Sequence, residues 1–187
     1  MAVEYAPRPV PEIGALTTRR LVLRSFRLSD APTVQRLAGD FDVAKMLDVV
    51  PFPYPEGEAA RWIATHDDRR AQDADYPFAI EHDGEVVGCV GLNRESDGLL
   101  HLGYWIGVPF WGKGFATEAA RAALEFAFDE LTEPEVKSGH YADNHASGRV
   151  MTKLGFRYAK ESMRFSKARG HAVRFLDTRM KREWFKR

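Results

Sequence analysis

The chain has 187 residues, a length typical of one domain that can bury a sizeable core. Its 27 basic residues equal its 27 acidic ones, which argues against nucleic acid as the main partner. The single cysteine, Cys89, excludes an internal disulfide and indicates a reducing compartment. No apolar run approaches the roughly 18 residues of a membrane span, and the start lacks the apolar segment of a signal peptide. These features predict a cytoplasmic protein with a flexible tail, 1–16, and a single domain, 17–187.

The first part of the domain is predicted to contain one strand and two helices. The strand covers 21–24, and a helix capped by Ser29 or Asp30 runs to about Ala38. Three alternating prolines between 51 and 55 require an extended loop. A second helix is predicted for 56–70, where apolar residues recur at helical spacing.

A meander of three antiparallel strands is predicted next. Strands at 76–81 and 85–92 are joined by Asp83-Gly84, a strong hairpin signal. A second turn at Asp97-Gly98 leads into a strand at 99–106.

A glycine turn, Gly112-Lys113-Gly114, then leads into a helix-like stretch at 118–131. Because glycine has no Cβ, the backbone N–H groups of such a turn can approach a ligand closely. The first N–H groups of the helix have no partner within it, and the helix dipole adds positive charge there. Together these groups bind phosphate oxygens. We therefore expect a phosphorylated cofactor at this turn.

Two common phosphate-binding motifs do not fit the turn. A P-loop needs Ser or Thr after its lysine, whereas Lys113 is followed by Gly114. A dinucleotide fingerprint needs a third Gly or Ala at the position of Thr117. A glycine turn also occurs in plain loops, so its meaning depends on the rest of the chain.

The last part of the chain completes a mixed α/β sheet. A strand at 136–141 follows the preceding strand through a helix, which predicts a right-handed parallel crossover. A short helix, 145–154, ends at Gly155, and strands at 156–159 and 172–181 finish the domain. The predicted fold is mostly antiparallel, with one parallel crossover and flanking helices.

Four stretches occur in a characteristic order and spacing. They are Thr-Arg-Arg-Leu-Val-Leu-Arg at 18–24, Val-Val-Gly-Cys-Val-Gly-Leu at 86–92, the run from Gly-Tyr-Trp-Ile through Trp-Gly-Lys-Gly-Phe-Ala-Thr-Glu-Ala at 103–119, and Asn-His-Ala-Ser with Lys-Leu-Gly-Phe at 144–156. Together they resemble the GCN5-related N-acetyltransferases (GNAT), particularly the branch of ribosomal-protein N-terminal acetyltransferases. Trp111 stands where the broad family usually has Gln or Arg, although Trp is common in this branch.

The resemblance implies an enzyme that transfers an acetyl group from acetyl-CoA to a primary amine within one ternary complex. The acceptor would be a protein N-terminus or a small molecule, and the protein a monomer or homodimer. A non-catalytic acyl-CoA-binding regulator of the same fold is the alternative. The six histidines show no paired ligand spacing, so no metal is expected. In such a fold the strands starting near Leu99 and Val136 would splay apart to admit the pantetheine arm.

The resemblance also implies a set of cofactor-binding residues. A backbone N–H around 106–108 would bind the thioester carbonyl. The amides of 112–117 would bind the diphosphate, with Lys113 as a charge partner. Asn144 would form a hydrogen bond with the pantetheine arm. The expected set is Ile106, Gly107, Val108, Trp111, Gly112, Lys113, Gly114, Phe115, Ala116, Thr117, Asn144 and Ser147.

Three residues are candidates for proton transfer. Ser147 would protonate the leaving thiolate or, alternatively, cap a helix. Tyr141 is a rival donor or an aromatic residue packed on the sheet. His101 is a candidate base, because the ordinary pKa of its side chain, about 6.5, suits that role at neutral pH. Alternatively, His101 is a strand residue that faces solvent. His140 and Glu95 are weaker candidates for the base. Cys89 is interpreted as a core residue, and the acceptor loops are predicted at 41–70 and 162–171.

Overall fold

The computed structural model describes residues 14–186, in which eight strands form one sheet. The strands are β1 (Leu16–Thr17), β2 (Val22–Arg24), β3 (Asp75–His82), β4 (Glu85–Arg94), β5 (Leu100–Ile106), β6 (Glu135–Tyr141), β7 (Arg157–Ser166) and β8 (His171–Lys181). The α-helices are α1 (Ala31–Ala38), α2 (Phe41–Ala44), α3 (Glu58–Ala64), α4 (His66–Ala71), α5 (Phe115–Asp129) and α6 (His145–Leu154).

The strand order across the sheet is β1-β2-β3-β4-β5-β6-β8-β7. Within the described residues, every neighbouring pair is antiparallel except β5 and β6, which α5 joins as a crossover. The predicted mixed sheet with one parallel crossover is therefore confirmed.

Helices cover both faces of the sheet. On one face α5 and α6 enclose the main core, to which Leu102 and Ile106 of β5 belong. On the other face a smaller apolar cluster lies under α1 and α3, and Trp105 packs against it. Since successive strand residues point to opposite faces, β5 contributes alternate side chains to the two layers.

Helix α5 is rich in alanine on the side that faces the sheet. Ala119, Ala120, Ala123 and Ala127 are fully buried there. Small side chains allow the helix axis to approach the strands closely. Phe115 in its first turn belongs to the same core as Ile106 at the end of β5. The helix begins at Phe115 rather than at the predicted Glu118, because the Phe115 side chain is itself buried in the core.

The helix predicted at 56–70 is divided into α3 and α4 at Thr65. The Thr65 hydroxyl donates to the Trp62 carbonyl at 2.8 Å, and the Thr65 amide donates to the same oxygen at 3.1 Å. This tight turn interrupts the helical ladder, so the prediction of one continuous helix was wrong.

The strand predicted at 156–159 extends much further, as β7 (Arg157–Ser166). It is the edge strand of the sheet and pairs with β8 along its whole length. Most of its residues are exposed and many are charged, which concealed the strand pattern from the sequence. The predicted acceptor loop at 162–171 is consequently a β-hairpin with a short turn.

At the N-terminal end, the predicted tail lies outside the described residues up to position 13, and its last residue, Leu16, belongs to β1. Asp30 precedes α1 as predicted, but its carboxylate makes no capping bond to that helix. It accepts instead from the Arg24 guanidinium at 2.8 Å and from the Arg27 amide at 2.7 Å. None of the helices described is long and apolar enough to cross a membrane.

Candidate active site

A gap opens in the middle of the sheet between β5 and β6. The two strands pair only at Leu100 with Val136 and at His101 with Lys137, and then diverge. On its other side β5 stays paired with β4 up to Ile106. The predicted separation of these strands is therefore present, and it exposes one edge of β5 from residue 103 onward.

The backbone direction along β5 determines which groups face the gap. The Gly107 amide donates to the Val87 carbonyl of β4 at 2.9 Å. Because peptide groups alternate along a strand, the amides of Tyr104 and Ile106 point the opposite way, into the gap. The amide of Ile106 is therefore suited to the expected contact with the thioester carbonyl. The amide of Gly107 is not, because it already donates to the Val87 carbonyl.

Trp111 fastens the loop after β5 to the edge of the gap. Its indole Nε1 donates to the Ile106 carbonyl at 2.6 Å, while nearly half of the side chain, 48%, remains exposed. This bond satisfies the carbonyl of Ile106 and leaves the amide of the same residue available. Trp111 therefore anchors the loop after β5 through its indole N–H, a group that Gln and Arg lack.

The glycine turn is shaped as a cradle of backbone amides. Gly112 and Gly114 have φ of 76° and 80°, a region that disfavours other residues, and a Cβ added at Gly112 would meet nothing within 4 Å. Gly114 precedes α5 without providing a side-chain cap. In the part of the chain described, no hydrogen bond is seen from the amides of 112–117. Phe115, Ala116 and Thr117 supply the first amides of the helix.

This cradle fits a diphosphate. Its N–H groups lie at the positive end of α5, and a Cβ added at Gly112 would meet nothing within 4 Å. The Nζ of Lys113, the predicted charge partner, lies 5.4 Å from the centroid of the Phe110 ring.

Ser147 lies on the far side of the gap, in the first turn of α6. It is buried, with 8% exposure, and its amide donates to Oδ1 of Asn144 at 3.0 Å. Asn144 is therefore the N-cap of α6, and its side-chain NH2 group makes no part of this capping bond. The capping bond uses the backbone of Ser147 and leaves its hydroxyl for chemistry.

The Ser147 hydroxyl contacts Tyr104, a residue to which sequence reasoning gave no role. The two oxygens lie 2.6 Å apart, and either one can be the donor. Burial raises the pKa of Tyr104 to about 12, so the phenol keeps its proton at neutral pH. The sequence indicated only that Tyr104 lies on the core side of β5, because strand residues two positions apart, such as Leu102, Tyr104 and Ile106, share one face.

Tyr141 and Ser147 are not brought together. The Tyr141 ring packs edge-on against Phe175, with centroids 5.6 Å apart, and lies 5.1 Å from the Arg169 guanidinium. Its hydroxyl donates to the Phe165 carbonyl at 3.4 Å. These contacts favour the packing role for Tyr141 over proton donation.

His101 is half-buried, and its Nε2 is shielded from solvent. Its Nε2 has no hydrogen-bond partner among the described residues. Burial lowers the pKa of the imidazole, and the nearby Arg164 lowers it further, so the ring is neutral at pH 7. By alternation it shares a face of β5 with Gly103, where an added Cβ would meet nothing within 4 Å. The same face of β5 is therefore open at Gly103, two residues after His101.

The two weaker candidates for a base are engaged elsewhere. His140 lies against Gly148 of α6, and its Nδ1 contacts the Tyr141 carbonyl at 2.8 Å. Glu95 is paired with Lys137. His101 is thus the better placed of the three.

Comparison with known proteins agrees with this geometry. Residues 20–157 match the family model of the acetyltransferase (GNAT) domain, which is most of the chain. The chain belongs to the GNAT acetyltransferase family. It is 28% identical over 174 residues to the uncharacterized N-acetyltransferase p20 of Bacillus licheniformis, covering 90% of this chain and 97% of that protein.

Two further GNAT relatives belong to the branch that the sequence resembles. The ribosomal protein uS5-alanine N-acetyltransferase of Escherichia coli is 29% identical over 167 residues, covering 81% of this chain and 84% of that protein. The structure of Mycobacterium smegmatis RimJ in complex with CoA-disulfide has the same fold, with a TM-score of 0.78 at 23% identity over 87% of this chain and 82% of that one. The expected family and the expectation of an N-acetyltransferase enzyme are therefore confirmed.

Two predicted acceptor segments of this GNAT domain contact each other. Arg169, in the β7–β8 turn, donates to the Lys45 carbonyl at 2.7 Å and to Asp143 at 2.7 Å. The Lys167 amide donates to the Asp48 carbonyl at 3.2 Å. The segment after α2 and the β-hairpin therefore form one wall on the face of the sheet that carries His101.

Cys89 lies outside this site. It is buried on β4, and burial raises the pKa of its thiol, which opposes formation of a thiolate. Its surroundings support the interpretation as a core residue.

Proposed function

We propose that this GNAT domain transfers the acetyl group of acetyl-CoA to a primary amine by direct transfer in a ternary complex. The observation that carries the proposal is the row of open amides at 112–117, placed beside the free edge of β5. A diphosphate on these amides leaves the pantetheine arm and the thioester to lie in the gap between β5 and β6. Coenzyme A in the related RimJ structure supports this ligand.

The exposed edge of β5 binds the arm and the carbonyl. The amides of Tyr104 and Ile106 extend toward the gap as an unpaired strand edge does. Asn144, which caps α6 through its Oδ1, is assigned a further contact with the arm through its side-chain nitrogen. An Ile106 amide that donates to the thioester oxygen stabilises the negative charge developing there during attack. Val108 follows immediately, and we retain it as an accessory contact.

Deprotonation of the acceptor amine is assigned to His101. A primary amine has an ordinary pKa of about 10, so its attack requires a group that accepts a proton. The neutral imidazole, its unpartnered Nε2 and the open space over Gly103 support this role. The amine reaches the carbonyl from the face of β5 that carries His101.

Protonation of the leaving thiolate is assigned to Ser147. As the nitrogen–carbon bond forms and the carbon–sulfur bond breaks, the Ser147 hydroxyl donates a proton to sulfur. Tyr104, 2.6 Å from Ser147, then returns a proton to the serine, and the resulting phenolate is reprotonated from solvent when CoASH leaves. The burial of Ser147 and the desolvation that raises the Tyr104 pKa support such a relay.

The acceptor is proposed at the level of class, as a protein N-terminus or a small-molecule amine. The name of the uS5-alanine N-acetyltransferase supports a protein N-terminus as the first acceptor to examine. We retain the proposals of a cytoplasmic enzyme that is a monomer or homodimer, with no metal requirement.

The direct test measures thiol release from acetyl-CoA with a panel of N-terminal peptides, polyamines and aminoglycosides. Acceptor-dependent release, together with CoA binding by calorimetry, is the expected result. A protein that binds CoA tightly but releases no thiol with any acceptor would instead be the acyl-CoA-binding regulator. A protein that fails to bind CoA would refute both functions.

A further inference from the structure

A carboxylate lies in the first turn of the helix whose amides form the cradle. Oε1 of Glu118 accepts from the Thr18 hydroxyl at 2.7 Å and from the Arg20 amide at 2.9 Å. Its Oε2 accepts from Nε of Arg20 at 2.8 Å. The turn between β1 and β2 is thus bound to the start of α5 across nearly one hundred residues of sequence.

Arg20 also contacts the glycine turn itself. Its guanidinium NH1 donates to the Lys113 carbonyl at 2.9 Å. The same group lies 5.0 Å from the centroid of the Phe115 ring and 3.4 Å from the position of a Cβ on Gly114. One side chain therefore spans the turn from the residue before its second glycine to the first turn of α5.

The pairing also determines the charge beside the cradle. Burial works against ionisation of Glu118, but the hydrogen bonds from Thr18 and Arg20 prevail and hold its carboxyl pKa below the usual range. The carboxylate is therefore ionised at neutral pH. An unpaired negative charge at this helix end would repel a diphosphate and compete with it for the helix dipole. Arg20 neutralises this charge and draws the carboxylate oxygens toward β2.

We propose that Arg20 and Glu118 form a latch that positions the 112–117 amides for the diphosphate of acetyl-CoA. Arg20 is a positioning residue, since it holds the Lys113 carbonyl and compensates Glu118. Thr18 supports the same carboxylate from the other side. The inference rests on the proposed function, which places the diphosphate on this turn.

The test compares Arg20→Met with Arg19→Met by calorimetry with CoA as the probe. Arg19 is the matched control because, in the described chain, it makes no hydrogen bond to the 112–117 turn. Arg20→Met leaves the Glu118 charge uncompensated, so we expect CoA to bind about tenfold more weakly. Arg19→Met should bind as the parent does. The ratio of the Arg20→Met affinity to the parent affinity should be the same for dephospho-CoA as for CoA, because the latch acts on the diphosphate and not on the 3′-phosphate.

A second change separates the latch from a direct ionic contact. Arg20→Met combined with Glu118→Gln removes the repelling charge, so CoA affinity should recover in part. If the double variant binds as weakly as Arg20→Met alone, Arg20 acts directly on phosphate and the latch is refuted. At saturating acetyl-CoA, Arg20→Met should keep the parent kcat while its KM for acetyl-CoA rises; an equal fall in kcat would contradict a positioning role.

Failure of the inference differs from failure of the proposed function. If the parent protein does not bind CoA, the proposed function fails. If the parent binds CoA and Arg20→Met binds it equally well, only the latch is refuted. Should Arg20→Met fail to fold, Arg20→Lys decides, because a lysine keeps the charge but cannot hold Glu118 and Lys113 together. Because the charge of Glu118 stays compensated, Arg20→Lys tests the simultaneous bonds to Glu118 and the Lys113 carbonyl: weaker CoA binding, by less than tenfold, supports the latch, and unchanged binding overturns it.

Discussion

The Tyr104 hydroxyl lies 2.6 Å from Oγ of Ser147, and this contact connects β5 with α6 across the gap in the sheet. On one side lies the edge of β5, to which we assign the thioester. On the other side, at the start of α6, lies Ser147, to which we assign the proton donated to the leaving thiolate. The pair is therefore the most direct point at which to test the chemistry.

Removing either hydroxyl should lower turnover without weakening acetyl-CoA binding. We expect Ser147→Ala to reduce kcat about a hundredfold, a typical loss for a general acid, and Tyr104→Phe to reduce it about tenfold. Because the two hydroxyls form one relay, the double variant should be no slower than Ser147→Ala. Steady-state kinetics with CoA affinities from calorimetry measure both effects. Tyr141→Phe is the control, and a larger kcat loss in that variant would reassign the acid to Tyr141.

A methyl group on the glycine turn should obstruct the diphosphate. Gly112 has φ of 76° and open space at its Cβ position, so Gly112→Ala combines backbone strain with a side chain above the amides. Gly98→Ala is the matched control, since Gly98 has φ of 81° and equally open surroundings in the turn before β5.

Both glycine variants should lose about 1 kcal/mol of unfolding free energy from strain. Only Gly112→Ala should also weaken CoA binding, by about tenfold or more. Denaturant melts and calorimetry measure the two effects separately. Equal CoA affinity in the two variants would show that the turn does not contact the nucleotide.

His101 should determine the acidic limb of the pH–rate profile. Burial and Arg164 lower its imidazole pKa, so the neutral base persists to a pH below its ordinary value of about 6.5. The rate kcat/KM should therefore stay level through neutral pH and fall only below about 6.5. His101→Gln should lower kcat about a hundredfold and remove this limb. His140→Gln is the control, and a similar loss there would contradict the assignment.

His66 should make the fold sensitive to acid. Its ring lies between Phe26 and Trp62, at 5.5 and 4.4 Å between centroids, and neither ring nitrogen has a partner among residues 14–186. Burial, followed by the charge of Arg70, lowers the imidazole pKa to about 4. Asp67 acts in the opposite direction and Arg69 adds to the lowering.

Because the folded state resists protonation, the contribution of His66 is complete above the unfolded pKa of about 6.5 and is lost as the pH falls toward 4. Between pH 7 and 5 this loss is on the order of 2 kcal/mol. His66→Phe keeps the aromatic contacts and cannot titrate, so its stability should fall less over this range. Chemical denaturation at several pH values compares the slopes. Parallel slopes for the parent and His66→Phe would refute the contribution.

Local sequence pattern was sufficient for the elements that bury a regular apolar face. The alanine-rich face of α5 and the Asp83-Gly84 hairpin follow directly from short-range spacing. It failed where a single contact overrides the pattern, as when Thr65 caps the Trp62 carbonyl and divides α3 from α4. It also failed for β7, because an edge strand that faces solvent has no buried face to impose alternation.

The site itself was predictable only in part. The glycine turn and the Asn144–Ser147 cap are local, so their spacing reveals them. The partners of these residues are distant in sequence. Tyr104 meets Ser147, and Arg20 meets Glu118, only because the strand order brings β2, β5 and the two helices together. Such pairs depend on tertiary arrangement, which periodicity does not encode.

The two residue pairs that join β5 to β6 divide the sheet into halves of five and three strands. Little backbone bonding joins the two parts, so the core shared by α5 and α6 and contacts such as that of Arg169 with the Lys45 carbonyl hold them together. A ligand seated in the gap acts as a temporary ninth strand and braces this seam. Binding of the nucleotide proposed for this gap should therefore stiffen the junction between the two parts of the sheet.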